Sequence, residues 1–151
     1  MEGGNSNILT VSMICKTDFN EPGFDLDCFR EVEVPGNWQN YGYDSHQYTN
    51  VRYPIPLDPP YVPQENPCGA YVYKFDYKKQ ADAPRAYLNF EGVDSCFYVW
   101  INGKYVGYSQ VSHATSEFDV TDVLLDGENT LVVLVLNGAM ELTWKIKINF
   151  A

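Results

Sequence analysis

Residues 87–110, with the sequence YLNFEGVDSCFYVWINGKYVGYSQ, decide the fold of this chain. Within them, Asn102-Gly103 separates two apolar runs, and an Asn-Gly pair favours the type I′ turn of a two-residue β-hairpin. A hairpin that turns there pairs the residues of its two arms in order. The expected pairs are Ile101 with Lys104, Trp100 with Tyr105, Val99 with Val106 and Phe97 with Tyr108.

Both faces of this hairpin are apolar. Because side chains alternate across a strand, one face is expected to carry Phe97, Val99, Ile101, Val106 and Tyr108. The other face is expected to carry Tyr98, Trp100 and Tyr105. A strand pair that is apolar on both faces must be covered on both, or must expose aromatic side chains for a purpose. The pattern predicts that the hairpin lies at the centre of a β-sandwich.

Several other short runs also predict strands, at residues 8–15, 30–34, 70–77, 87–90 and 130–136. The last of these, TLVVLVL, is apolar throughout and bounded by turn residues, which is typical of a strand buried on both faces. Asn137-Gly138 then predicts a second hairpin, through which residues 142–150 return as the partner of 130–136. Asp119 is a candidate to open one helical turn. The pattern predicts an all-β fold, a jelly-roll β-sandwich forming a single domain over residues 1–151.

Residues 37–69 have an unusual composition, because six of the nine prolines fall among closely spaced tyrosines. Proline removes ladder donors and fixes φ, so this segment is expected to be a long ordered loop with little sheet. We interpret it as a surface for packing against another domain more than as a ligand site.

Composition excludes several classes of function. The net charge of −10 argues against a nucleic-acid partner, which requires a basic face. No run approaches the ~20 apolar residues of a membrane span. The four cysteines show no metal-ligand spacing and are expected to be reduced structural thiols. The start of the chain carries no recognisable secretion signal, which together with the thiols predicts a cytoplasmic location.

Four strings are more specific than the strand pattern. They are VPGNWQNYGYD at residues 34–44, YTNVRYPIPLDPPYVPQENPCGAY at 48–71, FEGVDSCFYVWINGKYVGYSQ at 90–110 and SEFDVTDVLLDGENTLVV at 116–133. In this order and spacing they resemble the N-terminal sugar-binding domain of bacterial β-galactosidases of glycoside hydrolase family two. The resemblance covers residues 28–136, and both ends of the chain are atypical. After residue 136 the family carries a loop with an aspartate, and in this chain Asn137-Gly138 takes the place of that loop.

The resemblance implies a jelly-roll sandwich that packs on a separate catalytic barrel and lends loop residues to its galactoside pocket. The chain is then a non-catalytic accessory domain and not an enzyme by itself, since the two catalytic carboxylates of the family belong to the barrel. Two alternatives are a free-standing carbohydrate-binding module and an excised or engineered scaffold without a ligand. Galactosides are a possible ligand class under the first two interpretations.

No catalytic or metal-binding constellation is readable in the sequence itself. The acidic pairs Glu31/Glu33, Asp25/Asp27 and Asp119/Asp122 are expected to be solvated strand edges or caps. The two histidines, His46 and His113, lie in polar loops without a nucleophile or a third ligand nearby. We therefore expect no catalytic residue, no metal and no cofactor.

Two sets of residues are candidates for sugar binding. By resemblance, Asn50 matches the family asparagine that reaches into the galactose pocket, and an amide can both donate to and accept from a hydroxyl. The alternative is that Asn50 caps a turn before Val51. Tyr98, Trp100 and Tyr105 are a candidate aromatic platform for stacking sugar rings. The alternative for these three is that they belong to the sandwich core or lie under a loop.

Overall fold

The chain folds into antiparallel strands. The computed structural model describes residues 7–12, 30–34, 68–82, 84–93, 96–110, 114–136 and 146–150. Within these ranges the strands are β1 (Asn7–Ser12), β2 (Arg30–Val34), β3 (Cys68–Tyr77), β4 (Ala86–Phe90), β5 (Cys96–Ile101), β6 (Lys104–Ser109), β7 (Ser116–Asp119), β8 (Gly127–Leu136) and β9 (Ile146–Phe150). The predicted all-β class is confirmed.

The strands form two sheets. The larger has six strands in the order β2-β1-β3-β8-β5-β6, and the smaller has three in the order β7-β4-β9. Strand β8 pairs along its whole length with β3 on one side and along Leu131–Leu136 with β5 on the other. Strand β6 pairs only with β5, so in the described part of the chain it is an edge of the larger sheet.

The core lies between the two sheets and is built around aromatic rings. Phe90 of the smaller sheet packs against Phe97 of the larger, with ring centroids 4.7 Å apart. Phe118 meets both of them edge-on, at 5.9 and 6.1 Å. Three residues of the expected inner face of β5 are buried in this core, namely Phe97, Val99 and Ile101, as are Leu131, Val133 and Val135 of β8. Val106 is only half-buried, although it packs against the same cluster.

Strand β8 is apolar on both faces because it is the centre of the larger sheet. Leu131, Val133 and Val135 face the core, and Val132 on the opposite face is also buried. On that outer face Val132 lies between Val72 of β3 and Trp100 of β5. The run TLVVLVL is thus buried along its core face, whereas on its outer face Val132 is buried and Leu134 only half-buried, so the prediction of burial on both faces holds in part.

The hairpin of β5 and β6 forms at Asn102-Gly103, but its register changes after two pairs. Ile101 pairs with Lys104 and Trp100 with Tyr105, as expected, whereas Val99 pairs with Gly107 instead of Val106. A β-bulge at Val106 adds one residue to β6, so the expected pairs Val99–Val106 and Phe97–Tyr108 are wrong. Tyr108 instead pairs with Tyr98, and it lies on the outer face and not with Phe97.

The predicted second hairpin is also wrong. Strand β9 pairs with β4 in the smaller sheet, with Leu88 opposite Ile148, and not with β8. The physical reason is that β8 has no free edge, because β3 and β5 occupy both of its sides. The turn residues Asn137-Gly138 themselves lie outside the described ranges.

Ser116 begins a strand that the sequence patterns did not predict, β7, which pairs with β4. The expectation of four reduced cysteines is wrong for Cys68, which is disulfide-bonded to a partner outside the described residues. Cys96 is a free thiol, as expected.

The segment of residues 37–69, rich in proline and tyrosine, was expected to be a loop. Its residues 37–67 lie outside the described ranges.

Gly107 is required for space. A Cβ built at this position would lie 2.5 and 2.6 Å from two carbon atoms of the Phe118 ring, far inside van der Waals contact. We expect Gly107→Ala to lower the free energy of unfolding by about 1–3 kcal/mol, the usual cost of overpacking a core. Urea denaturation measures this loss.

A double-mutant cycle identifies the cause. If the collision with Phe118 is responsible, Gly107→Ala costs clearly less in a Phe118→Leu background than in the natural chain. An equal cost in both backgrounds would contradict the steric explanation.

Candidate aromatic ligand site

Four aromatic side chains form a bent row of ring contacts on the outer face of the larger sheet. Tyr98 and Trp100 come from β5, and Tyr108 and Tyr105 lie opposite them on β6, so the row is U-shaped and both of its ends lie on the edge strand. We call this row the aromatic surface. The cross-strand pairs Trp100–Tyr105 and Tyr98–Tyr108 bring the side chains together. Such pairs lie about 4.5–5.5 Å apart at Cβ, close enough for aromatic rings to touch.

The rings contact one another in sequence along the row. Tyr108 and Tyr98 have centroids 4.7 Å apart, Tyr98 and Trp100 are at 6.1 Å, and Trp100 and Tyr105 are at 5.8 Å. The planes are tilted by 41°, 34° and 62° respectively. The row therefore has the offset and edge-on geometry that aromatic pairs prefer, and it is not one flat plate.

Exposure rises from the middle of the row to its ends. Tyr98 and Trp100 are half-buried, whereas Tyr105 is 57% exposed and Tyr108 39% exposed. The candidate platform of Tyr98, Trp100 and Tyr105 thus lies on one face, as predicted, but it is not enclosed core. The structure brings these three together and adds Tyr108.

Tyr108 was missed because its position depends on the bulge. One extra residue at Val106 moves Tyr108 to the face opposite from the one that simple alternation assigns. The sequence does contain a signal, since Gly107 interrupts an otherwise regular strand and an isolated glycine in a strand often marks a bulge.

The Tyr108 hydroxyl has defined surroundings. It donates a hydrogen bond to Gln110 Oε1 at 3.0 Å. Burial beside its neighbours raises the pKa of Tyr108 above its ordinary value, with further contributions from the Cys96 thiol and the hydroxyl of Tyr98. The hydroxyl therefore keeps its proton at neutral pH, and that proton is engaged by Gln110.

An asparagine network holds the turn beneath the aromatic surface. Asn102 has a φ of +52°, and its side-chain amide donates to Asn129 Oδ1 at 2.8 Å and to Val123 O at 3.0 Å. Its Oδ1 accepts from Thr130 N at 3.0 Å. Asn129 is almost completely buried, and its amide binds the backbone of Leu125 at both N and O. These bonds fix the hairpin turn against the loop before β8.

The other candidate residues have different outcomes. Asn50 lies outside the described residues and stays a prediction. Asp119 accepts hydrogen bonds from Thr121 N at 3.0 Å and from Thr121 Oγ1 at 2.6 Å, so the prediction that it acts as a cap is confirmed. The turn that follows is a single one, with Val123 N and Leu124 N both donating to Val120 O.

The described ranges contain no group of three or more His, Cys, Asp or Glu side chains that could hold a metal ion. They also contain no helix long and apolar enough to cross a membrane. Glu31 on β2 is exposed, in agreement with its interpretation as part of a solvated strand edge.

Comparison with known proteins identifies one family. The family model for the sugar binding domain of glycosyl hydrolases family 2 matches residues 16–146. The chain is 56% identical to a β-galactosidase of Staphylococcus xylosus over 110 residues. This match covers 71% of this chain and 11% of that protein. It is 50% identical over 119 residues to a β-galactosidase of Actinobacillus pleuropneumoniae, covering 79% of this chain and 12% of that protein.

Solved structures share the fold. A glycosyl hydrolase family 2 member from Bacteroides cellulosilyticus has a TM-score of 0.68 at 17% identity, over 95% of this chain and 20% of that one. A β-glucuronidase from Bacteroides uniformis has a TM-score of 0.66 at 20% identity, over 90% of this chain and 14% of that one. The chain thus spans a small part of each protein that it resembles.

The cap at Asp119 gives stability a defined pH dependence. Its hydrogen bonds from the Thr121 hydroxyl and backbone lower the pKa of Asp119 below 3.8 in the folded chain. When folding lowers a pKa, the ionised group stabilises the folded chain fully at any pH above its pKa in the unfolded chain. This stabilisation is lost as pH falls through its pKa in the folded chain.

We therefore expect the natural chain to have a higher urea midpoint of unfolding than Asp119→Ala at pH 6. The difference between the two midpoints should narrow as pH falls below 3.8. Asp122→Ala, which removes an exposed carboxylate from the same turn and leaves the hydrogen bonds from Thr121 to Asp119 in place, is the control and should cost less than Asp119→Ala at pH 6. A difference that is constant down to strongly acid pH would contradict a role for the ionised carboxylate.

Proposed function

Because the chain belongs to the sugar-binding domain family of glycosyl hydrolase family 2, we propose that it serves as the non-catalytic N-terminal domain of a β-galactosidase. The observation that carries this proposal is the level of identity. It is 56% and 50% with two β-galactosidases, against 20% with a β-glucuronidase that shares the fold. The substrate class follows the closer sequence relationship.

In this proposal the domain packs on a catalytic barrel and completes its galactoside pocket. Asn50 supplies the pocket with an amide that hydrogen-bonds a sugar hydroxyl. On its own such a residue contributes little, because each hydrogen bond nets only about 0.5–1.5 kcal/mol after exchange with water. Against a barrel that excludes water and holds the sugar from the other side, the same amide gains strength.

The chain by itself is proposed to hydrolyse no glycoside. Cleavage with retention needs two carboxyl groups about 5–5.5 Å apart, one acting as acid and the other as nucleophile. Asp119, whose pKa is lowered, is committed to capping a turn. A cytoplasmic location stays a prediction, and the disulfide at Cys68 argues against it, since disulfides are rare in reducing compartments.

The first test is turnover by the purified chain. We expect no release of chromophore from a chromogenic β-galactoside above that of a mock preparation from a host deleted for its own β-galactosidase. Turnover that co-purifies with the chain through successive columns from such a host would contradict the proposal.

The second test is a chimera in which this chain replaces the matching segment of the Staphylococcus xylosus relative. We expect an active β-galactosidase whose KM rises about tenfold with Asn50→Ala, the equivalent of one or two lost hydrogen bonds. Asn89→Ala, at an asparagine on β4, is the matched control and should leave KM unchanged. Equal KM values for the chimera and its Asn50→Ala variant would refute the role of Asn50.

A further inference from the structure

We propose that the aromatic surface is itself a carbohydrate-binding site, which takes the apolar face of hexopyranose rings in an oligosaccharide. This site goes beyond the proposed function, because it consists only of residues on β5 and β6 and requires no catalytic domain. Tyr105 and Tyr108, on the edge strand β6, make the most exposed contacts, and Tyr98 and Trp100 continue the surface on β5.

The size of the exposed area favours a small ligand over a second protein. Tyr105 is 57% exposed and Tyr108 39% exposed. Together they offer roughly the area of one aromatic side chain, about 150–250 Å². A stable protein interface buries about 800 Å² on each partner. A second copy of the chain would therefore find too little area here, whereas one or two sugar rings would cover it.

The edge of the sheet also disfavours an added polypeptide strand. Strand β6 carries a bulge at Val106 and begins with the exposed residue Lys104. Bulges and edge lysines are the features by which sheets avoid pairing with other chains. The occupant that fits should therefore contact ring faces and not extend the backbone ladder.

The chemistry of the surface matches a sugar. A hexopyranose presents C–H groups on its ring face and hydroxyls around its rim, and a tyrosine presents a ring face with one hydroxyl at its tip. Among the described residues, the hydroxyls of Tyr98 and Tyr105 have no hydrogen-bond partner, while that of Tyr108 donates to Gln110. A neutral sugar is also not repelled by a chain of net charge −10, unlike a phosphate or an acidic glycan.

The arrangement of the rings suits a ligand with more than one sugar ring. Tyr98 and Trp100 lie on β5, and the more exposed Tyr108 and Tyr105 lie opposite them as neighbours on the edge strand β6. A ligand with two sugar rings can contact both exposed tyrosines and the half-buried pair on β5. We therefore expect β-linked galactobiose and galactotetraose to bind more tightly than galactose.

The experiment is a titration of the purified chain with galactose, galactobiose and galactotetraose, followed by saturation-transfer NMR and calorimetry. We expect affinity to rise with length and to fall about tenfold in Tyr105→Ala, equivalent to about 1.4 kcal/mol. Tyr108→Ala should weaken binding in the same direction. Tyr105→Phe, which keeps the ring and loses the hydroxyl, should retain most of the affinity.

The matched control is Leu125→Ala, because Leu125 is also 57% exposed but lies in the loop before β8. It should bind like the natural chain. The proposal is overturned if no oligosaccharide binds, if Leu125→Ala weakens binding as much as Tyr105→Ala, or if the chain self-associates through this face. Thermal melts of each variant establish that it is folded before binding is compared. Failure here leaves the chimera result unaffected, so the two proposals can be separated.

Discussion

The buried amide of Asn129 is the constraint on which the rest of the structure depends. A buried amide must satisfy two donors and an acceptor within the protein. Asn129 does so completely, with Oδ1 accepting from Asn102 Nδ2 and Leu125 N, and Nδ2 donating to the carbonyls of Leu125 and Gly127. Because Asn102 is also the first residue of the hairpin turn, this network fixes where β6 begins relative to β8. Any adjustment of register must then occur further along β6.

That adjustment is the bulge, and it determines both the core and the surface. Gly107 leaves room for the Phe118 ring, which closes the core from the smaller sheet. The same extra residue turns Tyr108 outward to meet Tyr98. The inner packing of the sandwich and the outer aromatic surface are therefore two results of one irregularity in one strand. A change that removes the bulge therefore alters both at once.

Local patterns in the sequence predicted most elements of this fold, because turn chemistry and alternation act over a few residues. The Asn-Gly turn, the core face of β5 and the core face of β8 all follow from such patterns. The partner of β9 could not be predicted in this way, because it depends on which sheet has a free edge. Periodicity cannot report that β8 is already paired on both sides. The disulfide at Cys68 depends on the same kind of long-range placement.

The candidate site shows where prediction from local patterns ends. Alternation alone placed Tyr98, Trp100 and Tyr105 on one face, but it could not decide whether that face was covered. Exposure depends on position in the sheet: Trp100 is half-buried on β5, which has strands on both sides, whereas Tyr105 is exposed because β6 is an edge. Asn50 is different in kind, since no local pattern distinguishes it from a turn residue, and only the resemblance gave it a role. The exposure of an aromatic side chain on a strand face therefore depends on where the sheet order places that strand, and the residue alone does not report it.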